Sequence, residues 1–453
     1  MKINPVPSTD IILTRFITPI TRWWGPRKDL DEETRKAFKL HTLGIVFSST
    51  FFGIIGLTGL VLKKTMGAGD WFISIQHTAQ LSMLVFSIFW VQFLEYTDHR
   101  RFIRMVGWLG RGGMLLAAFV VTPLPLVILI MMSGIGMSAF IPAANRIMQS
   151  NYSENIRGEL VGYLFSRSTL TVIFCSLVFS YILDQFPQAY RILFPAGAVM
   201  GIIGAYAISC MPVHGHRQSK SLPDEIRRRG TWPVLGDIFV TPLRESWQFL
   251  KTEKEFMKFE GFFFLYGCGV ISSWPLLTIL LTDYLNLSYV KATIILAVIP
   301  NAVTLLLSPA MGRIYDRFNP LLIMSASTLL LGFYTVIMFF AHSFTIALIG
   351  VFFQALGMLG VHFAWSLSSI YFAGDKPAEP FMSMHVSLTG LRGIIAPFLG
   401  VALAQYLSLH KAFLLSTVFL WLCAFCMWRM HLKHRKKTPA ATPAEEPAGD
   451  HVT

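Results

Sequence analysis

Leu388-Thr389-Gly390-Leu391-Arg392-Gly393-Ile394-Ile395-Ala396-Pro397-Phe398-Leu399-Gly400 sets one guanidinium in the middle of an apolar run, bracketed by glycines and a proline. If the run crosses a bilayer, Arg392 sits where a charge is costly and functional by default. Spanning a bilayer as a helix takes about 20 mostly apolar residues. The run from Met382 to Leu407 meets that length, so the rest of the chain decides whether it is one span among several.

Composition favours a membrane. Of 453 residues, 54% are hydrophobic and 14% charged, and the mean hydropathy is +0.56. A soluble domain carries roughly 25% charged residues, so this chain is too poor in charge for a water-facing surface. Apolar runs recur near Thr42–Leu62, Trp71–Leu94, Phe102–Val121, Leu124–Ile147, Leu160–Leu183 and Ala189–Met211. Six more follow near Phe262–Thr282, Ala292–Met311, Leu321–Phe340, Thr345–Tyr371, Met382–Leu407 and Ala412–Met430. The expected fold is therefore all-α and integral to the membrane, with twelve transmembrane helices in two six-helix halves.

Five segments result. Residues 1–41 are a polar N-terminal segment in which Ile11-Ile12-Leu13, Phe16-Ile17, Ile20 and Trp23-Trp24 fit either a short helix lying in the interface or a loosely ordered tail. Residues 42–211 and 261–430 are the two halves. Residues 212–260 form a linker whose stretch Trp232–Phe256 has amphipathic spacing, and 431–453 are a basic, then Pro/Ala/Glu-rich tail expected to be disordered. Net charge is +13, and the bases cluster in the linker, the tail and the loops that hold Arg100, Arg101, Arg313 and Arg317. By the positive-inside rule those segments and both termini are cytoplasmic. The same clustering fits an anionic lipid surface better than a nucleic acid. Cys175, Cys210, Cys268, Cys423 and Cys426 all lie in apolar runs, so packing is expected rather than a disulfide framework. There is no cleavable signal-peptide pattern at the N-terminus.

Two repeats relate the halves. Asp98 follows the second run of the first half, and Asp316, in Gly312-Arg313-Ile314-Tyr315-Asp316-Arg317, follows the second run of the second half. Arg167 on run five and Arg392 on run eleven stand 225 positions apart, as do Tyr181 and Tyr406 at the ends of the same runs. With its G-x-x-x-D-R turn, the chain resembles the major facilitator superfamily of secondary transporters. That family carries such a motif between the second and third spans and a weaker copy between the eighth and ninth. Here the second copy is the complete one, and Leu94 replaces the glycine of the first.

The resemblance covers roughly Thr42 to Met430 and implies a solute site at mid-membrane between the halves, reached by alternating access. It implies gating roles for Asp98, Gly312, Asp316 and Arg317, with Arg146 as the partner of Asp98. It also implies that runs five and eleven face each other, bringing Arg167 and Arg392 toward one ligand. Guanidinium is matched to carboxylate and phosphate oxygens, so an anionic or zwitterionic organic solute is expected. Arg167, about nine residues into its run, can instead pair with Glu159 or a loop. Further polar residues in cavity-lining runs are Asn301, Gln354, His362, Trp365 and His385, with Gln76, His77 and Gln80 placed near the outer mouth. His362 and Trp365 share one helical face. Candidates for a titrating group are His362, His385 and Glu260, because histidine changes charge nearest neutrality.

The expected partners are a small-molecule substrate, membrane lipid and protons, with no nucleic acid; the chain is expected to be monomeric, in a bacterial cytoplasmic (inner) membrane. No metal-ligand cluster, cofactor motif or nucleophile–base constellation is present in the sequence, so no enzyme is expected. An exporter of drugs or siderophore-like metabolites is one alternative, and a non-transporting membrane scaffold or enzyme is the alternative of another class. Gly393, Pro397 and Gly400 read as packing and bending elements.

Overall fold

A computed structural model describes residues 30–212, 222–373, 376 and 379–437. Twelve helices in it are long and apolar enough to cross a membrane, and no strand occurs among the described residues. The first half comprises α1 (Glu32–Thr65), α2 (residues 70–95), α3 (His99–Phe119), α4 (Pro123–Asn151), α5 (Glu154–Gln185) and α6 (Pro187–Ser209). Three short helices make the linker: α7 (Leu222–Arg229), α8 (Thr231–Phe239) and α9 (Thr241–Thr252). The second half comprises α10 (Lys254–Tyr284), α11 (residues 289–317), α12 (Pro320–Phe339), α13 (Phe344–Ala373), α14 (Glu379–Tyr406) and α15 (Leu409–Lys437).

Helix starts follow local chemistry. Asp31 accepts the Thr34 N–H at 3.0 Å at the start of α1, and hydrogen bonding from the Thr34 side chain, then from its N–H, holds the carboxyl below the usual carboxylate range. Asp98 accepts the Arg101 N–H at 3.2 Å and so caps α3. Asn319 caps α12 ahead of Pro320 at its first position, where a missing N–H costs nothing. The first span of the second half begins at Lys254, inside the stretch assigned from sequence to the linker. Phe256, Phe259 and Glu260 are buried there, so packing extends the helix beyond its apolar run. The interfacial segment expected around Ile11–Trp24 lies outside the described residues, as does the tail beyond Lys437.

Small residues set the packing within and between halves, as lipid-embedded helices require. A Cβ on Gly110 of α3 would stand 2.7 Å from Gly136 Cα of α4. Between halves, α2 packs on α14: a Cβ on Gly390 would meet Val85 N at 2.6 Å, and Gly393 faces Leu81. Pro397, inside α14, cannot donate to the carbonyl one turn back. Its own carbonyl accepts from Ser74 Oγ of α2 at 2.9 Å. These contacts fit the packing and bending roles read from the sequence.

The halves are tied most densely at the end away from the linker. There α1 and α10 each finish in a single π-helical turn, Val61–Thr65 and Leu280–Tyr284. Lys63 is paired with Asp70 of its own half at 2.6 Å and with Asp283 of the other half. Lys64 Nζ donates to Leu287 O at 2.6 Å, and the Thr65 and Tyr289 hydroxyls are hydrogen-bonded to each other at 2.5 Å. Asp184, at the end of α5, accepts the Tyr289 and Val290 N–H groups at 2.6 and 3.0 Å, capping α11 from across the interface. Beneath these bonds one apolar cluster draws on both halves, including Leu60, Val61, Leu280, Leu281 and Tyr289.

Overpacking a close helix contact costs about 1–3 kcal/mol. Gly390→Val is therefore expected to lower the thermal midpoint of the purified protein, whereas Gly162→Ala, with nothing within 4 Å of the added methyl, should leave it unchanged or slightly raised.

Candidate functional site

Between the halves, below the sealed end, lies a cavity of about 380 Å³. Each wall is a helical stripe of residues one turn apart. From the first half, α1 supplies Phe52, Gly56 and Gly59, and α2 supplies Gln76, His77 and Gln80. From the second, α10 supplies Trp274 and Thr278, α11 Pro300 and Thr304, and α13 Gln354, Met358 and His362. No Asp, Glu, Lys or Arg is among these lining residues. The wall is instead rich in neutral hydrogen-bonding groups beside aromatic surface. Gln76 Oε1 and His77 Nε2 are buried and find no protein partner among the described residues, and the His77 and Trp274 rings lie 6.1 Å apart.

The two guanidiniums do not meet at this cavity. Arg392 is 1% exposed, inside the second half between α10 and α14. Its Nη1 donates to Phe263 O at 2.9 Å, its Nη2 to Thr389 Oγ1, and its guanidinium lies over the Phe263 ring, 4.5 Å from the centroid. Gly267 makes room, because a Cβ there would overlap the Arg392 side chain. Arg167 stays in the first half, where Nη1 donates to Thr42 Oγ1 at 2.7 Å and the guanidinium sits 5.2 Å from the Phe38 ring centroid. The two arginines share an equal offset in sequence, but each finds its partners within its own half.

Arg392 belongs to a buried polar cluster. Glu260 Oε1 of α10 and His385 Nδ1 of α14 are 2.5 Å apart, each with a side chain 1% exposed. Nitrogen and oxygen lone pairs repel at that distance, so a proton lies between them. Glu260 Oε2, His385 Nε2 and Arg392 Nε have no protein partner among the described residues. Trp365 closes the cluster on the α13 side: its ring is 5.3 Å from His385, and its Nε1 donates to Thr389 Oγ1 at 3.5 Å. One turn before it, His362 is exposed in the middle of α13 because it opens onto the cavity. Of the titrating candidates, His362 lines the cavity, and Glu260 and His385 pair in the core beside Trp365.

Other candidates are placed differently. Asn301 donates to Ala297 O of its own helix at 2.8 Å and is absent from the wall, which its neighbours Pro300 and Thr304 form. Gln76, His77 and Gln80, placed by sequence near the outer mouth, line the cavity because the α1 and α10 ends close above them. Trp274, Thr278 and Thr304 also line the cavity, and the one-turn spacings of Trp274 with Thr278 and of Pro300 with Thr304 are the signal the sequence holds for them. Asp98 and Arg317 are exposed at the linker end. Of Arg146, Gly312 and Asp316 only the helical backbone is described, so the proposed Asp98–Arg146 contact lies outside the described side chains. Arg111, on the π-helical turn Trp108–Gly112, is buried, donates to Gly201 O and lies between the Phe51 and Phe140 rings, which gives it a packing role.

A twelve-span bundle with a cavity between halves can be compared with known proteins. A solved POT family transporter, in complex with a thioalcohol-conjugated peptide, is 13% identical, with a TM-score of 0.72 over 88% of this chain and 96% of its own. The nucleoside transporter NupG is 12% identical, with a TM-score of 0.65 over 87% of this chain and 99% of its own. The human organic anion transporter MFSD10 is 11% identical, with a TM-score of 0.61 over 88% of this chain and 100% of its own. Identities this low show a shared fold alone. No curated protein matches the sequence. The family model of the Major Facilitator Superfamily matches residues 41–373 and 261–450. By that match and its twelve-span architecture, the chain is a transporter belonging to the Major Facilitator Superfamily.

Proposed function

We propose that this transporter carries a small, polar, uncharged organic solute by alternating access, coupled to protons through the Glu260–His385 pair. The observation that carries the reading is the cavity between the halves, sealed at one end and walled by neutral donors and acceptors. A solute with net negative charge has less support, because Arg392 is committed to Phe263 O and Thr389, and Arg167 to Thr42. Gln76, Gln80 and Gln354 each offer both a donor and an acceptor, and Trp274 and Phe52 offer flat apolar faces.

The linker end is cytoplasmic by its basic loops, in a bacterial inner membrane, so the sealed end faces outside. Gating at the linker end falls to the segments around Asp98, Arg146, Gly312, Asp316 and Arg317. For coupling, His362 takes a proton from the cavity and, when the Trp365 ring moves aside, passes it to His385 Nε2, while the proton on His385 Nδ1 goes to Glu260 beside Arg392. A buried carboxylate near a guanidinium is costly to leave uncompensated, so its protonation state biases how α10 and α14 pack. Nothing in this cycle requires a cofactor or an enzymatic step.

Two outcomes are expected. In a ligand screen by thermal stabilisation, neutral polar solutes raise the midpoint. Gln354→Ala then weakens binding about fivefold, as the loss of one hydrogen bond worth about 1 kcal/mol requires. A screen answered only by anions, with binding lost in Arg167→Gln and kept in Gln354→Ala, contradicts the site. Glu260→Gln is expected to abolish accumulation driven by a pH gradient in liposomes while solute counterflow persists. Unchanged accumulation removes the pair from coupling.

A further inference from the structure

The linker carries a surface that neither the cavity nor the coupling pair uses. On α8, Val234 and Ile238 point inward and pack with Tyr96 at the linker end of α2. The opposite stripe leaves Trp232 83% exposed and runs on through Phe239, Val240, Leu243 and Trp247, with Val240 63% and Trp247 60% exposed. Spacings of 7, 1, 3 and 4 residues keep these five side chains on one side of the two linker helices. Two tryptophans and three further apolar groups are too much greasy surface to leave in water on a loop.

Basic residues edge this stripe. Arg227 and Arg244 are exposed, and Lys251 lies with its ammonium 4.9 Å from the Trp247 ring centroid. Arg229 is neutralised by Asp237 at 2.8 Å, which holds its guanidinium more firmly charged than usual, so the free positive charge lies with the other three. Arg100 and Arg101 add exposed charge at the same end of the bundle. An apolar stripe with tryptophans and flanking bases is the pattern of a helix lying in the headgroup region of an anionic leaflet. The stripe is also continuous with the span surface: Phe239 stands 5.6 Å from Phe89, and Phe89 6.2 Å from the exposed Phe86, by ring centroids.

We infer that α8 and α9 form an interfacial strap that binds anionic phospholipid, with Trp232 and Trp247 as anchors and Arg227, Arg244 and Lys251 on the headgroups. The strap grips both halves. It holds α2 through Val234, Ile238 and Phe239, and it holds α10 and α14 through Phe249, whose ring is 5.8 Å from Phe256 and 4.7 Å from Phe381. Lipid bound to the strap therefore restrains separation of the halves at the linker end. A soluble protein is the other occupant such a stripe could take. Lipid is favoured because both ends of the linker are fixed to spans, at Ser209 and Lys254, which keeps it at the bilayer surface.

The test is hydrogen–deuterium exchange over residues 231–252 of the full chain, in nanodiscs of phosphatidylcholine alone and with a phosphatidylglycerol fraction. Each basic residue near an anionic surface contributes on the order of a factor of five in affinity, so exchange is expected to slow by roughly tenfold or more with phosphatidylglycerol. Molar salt should erase much of that difference. The triple variant Arg227→Gln, Arg244→Gln, Lys251→Gln should remove the lipid dependence while the spans exchange as in wild type. The pair Trp232→Ser and Trp247→Ser should give fast exchange in both bilayers. Equal exchange of the wild-type strap in both nanodiscs overturns the inference. So does protection that appears only when a soluble protein fraction is added.

Discussion

Lys63 is the group on which the cavity depends. It is nearly buried at the end of α1, held by Asp70 of its own half and Asp283 of the other. One cation between two carboxylates joins the halves at the far end of α1 and α10. Asp184 adds a second tie by capping α11 with its carboxylate, which also complements the positive end of that helix. Both ties place charge at the membrane surface, where water can re-solvate it when they part. They can therefore be strong when closed and still be reversible, as a gate requires. The apolar cluster below them draws on both halves and has no such escape.

The second half differs in character from the first. It holds a buried carboxylate, imidazole and guanidinium together, whereas the buried arginine of the first half, Arg111, answers to a backbone carbonyl and two rings. Buried ionisable groups are expensive, and a cluster with three unfilled hydrogen-bond positions is more expensive still. That cost is consistent with a group kept for changing its proton, not for holding the helices together. In the proposed cycle, solute chemistry and proton chemistry are separated: a neutral wall between the halves, and the buried cluster behind Trp365.

Much of the fold was legible in the sequence. Twelve runs of about 20 apolar residues leave little choice of architecture in a bilayer, because each backbone polar group must be paired within its own helix. The paired positions of Arg167 and Arg392 and the glycines of α14 were legible too. What sequence could not give was helix rotation. Arg392 turns toward Phe263 because Gly267 leaves space beside it, a fact about a neighbouring helix with no trace in the spacing of α14. The same holds for Gln76 and His77, whose expected place at the mouth assumed that the end above them was open. The Glu260–His385 contact joins residues 125 positions apart, and only packing could bring two separately chosen candidates to 2.5 Å.

The alternating access proposed for this chain rests on the far-end ties, and distances between spin labels on the two halves at that end test it most directly. In Lys63→Ala the label pair should shift toward a longer distance, with a matching shortening at the linker end, because the gate loses its central cation while the apolar cluster remains. Unchanged distance distributions at both ends would contradict the claim that Lys63 and its two carboxylates hold the cavity closed.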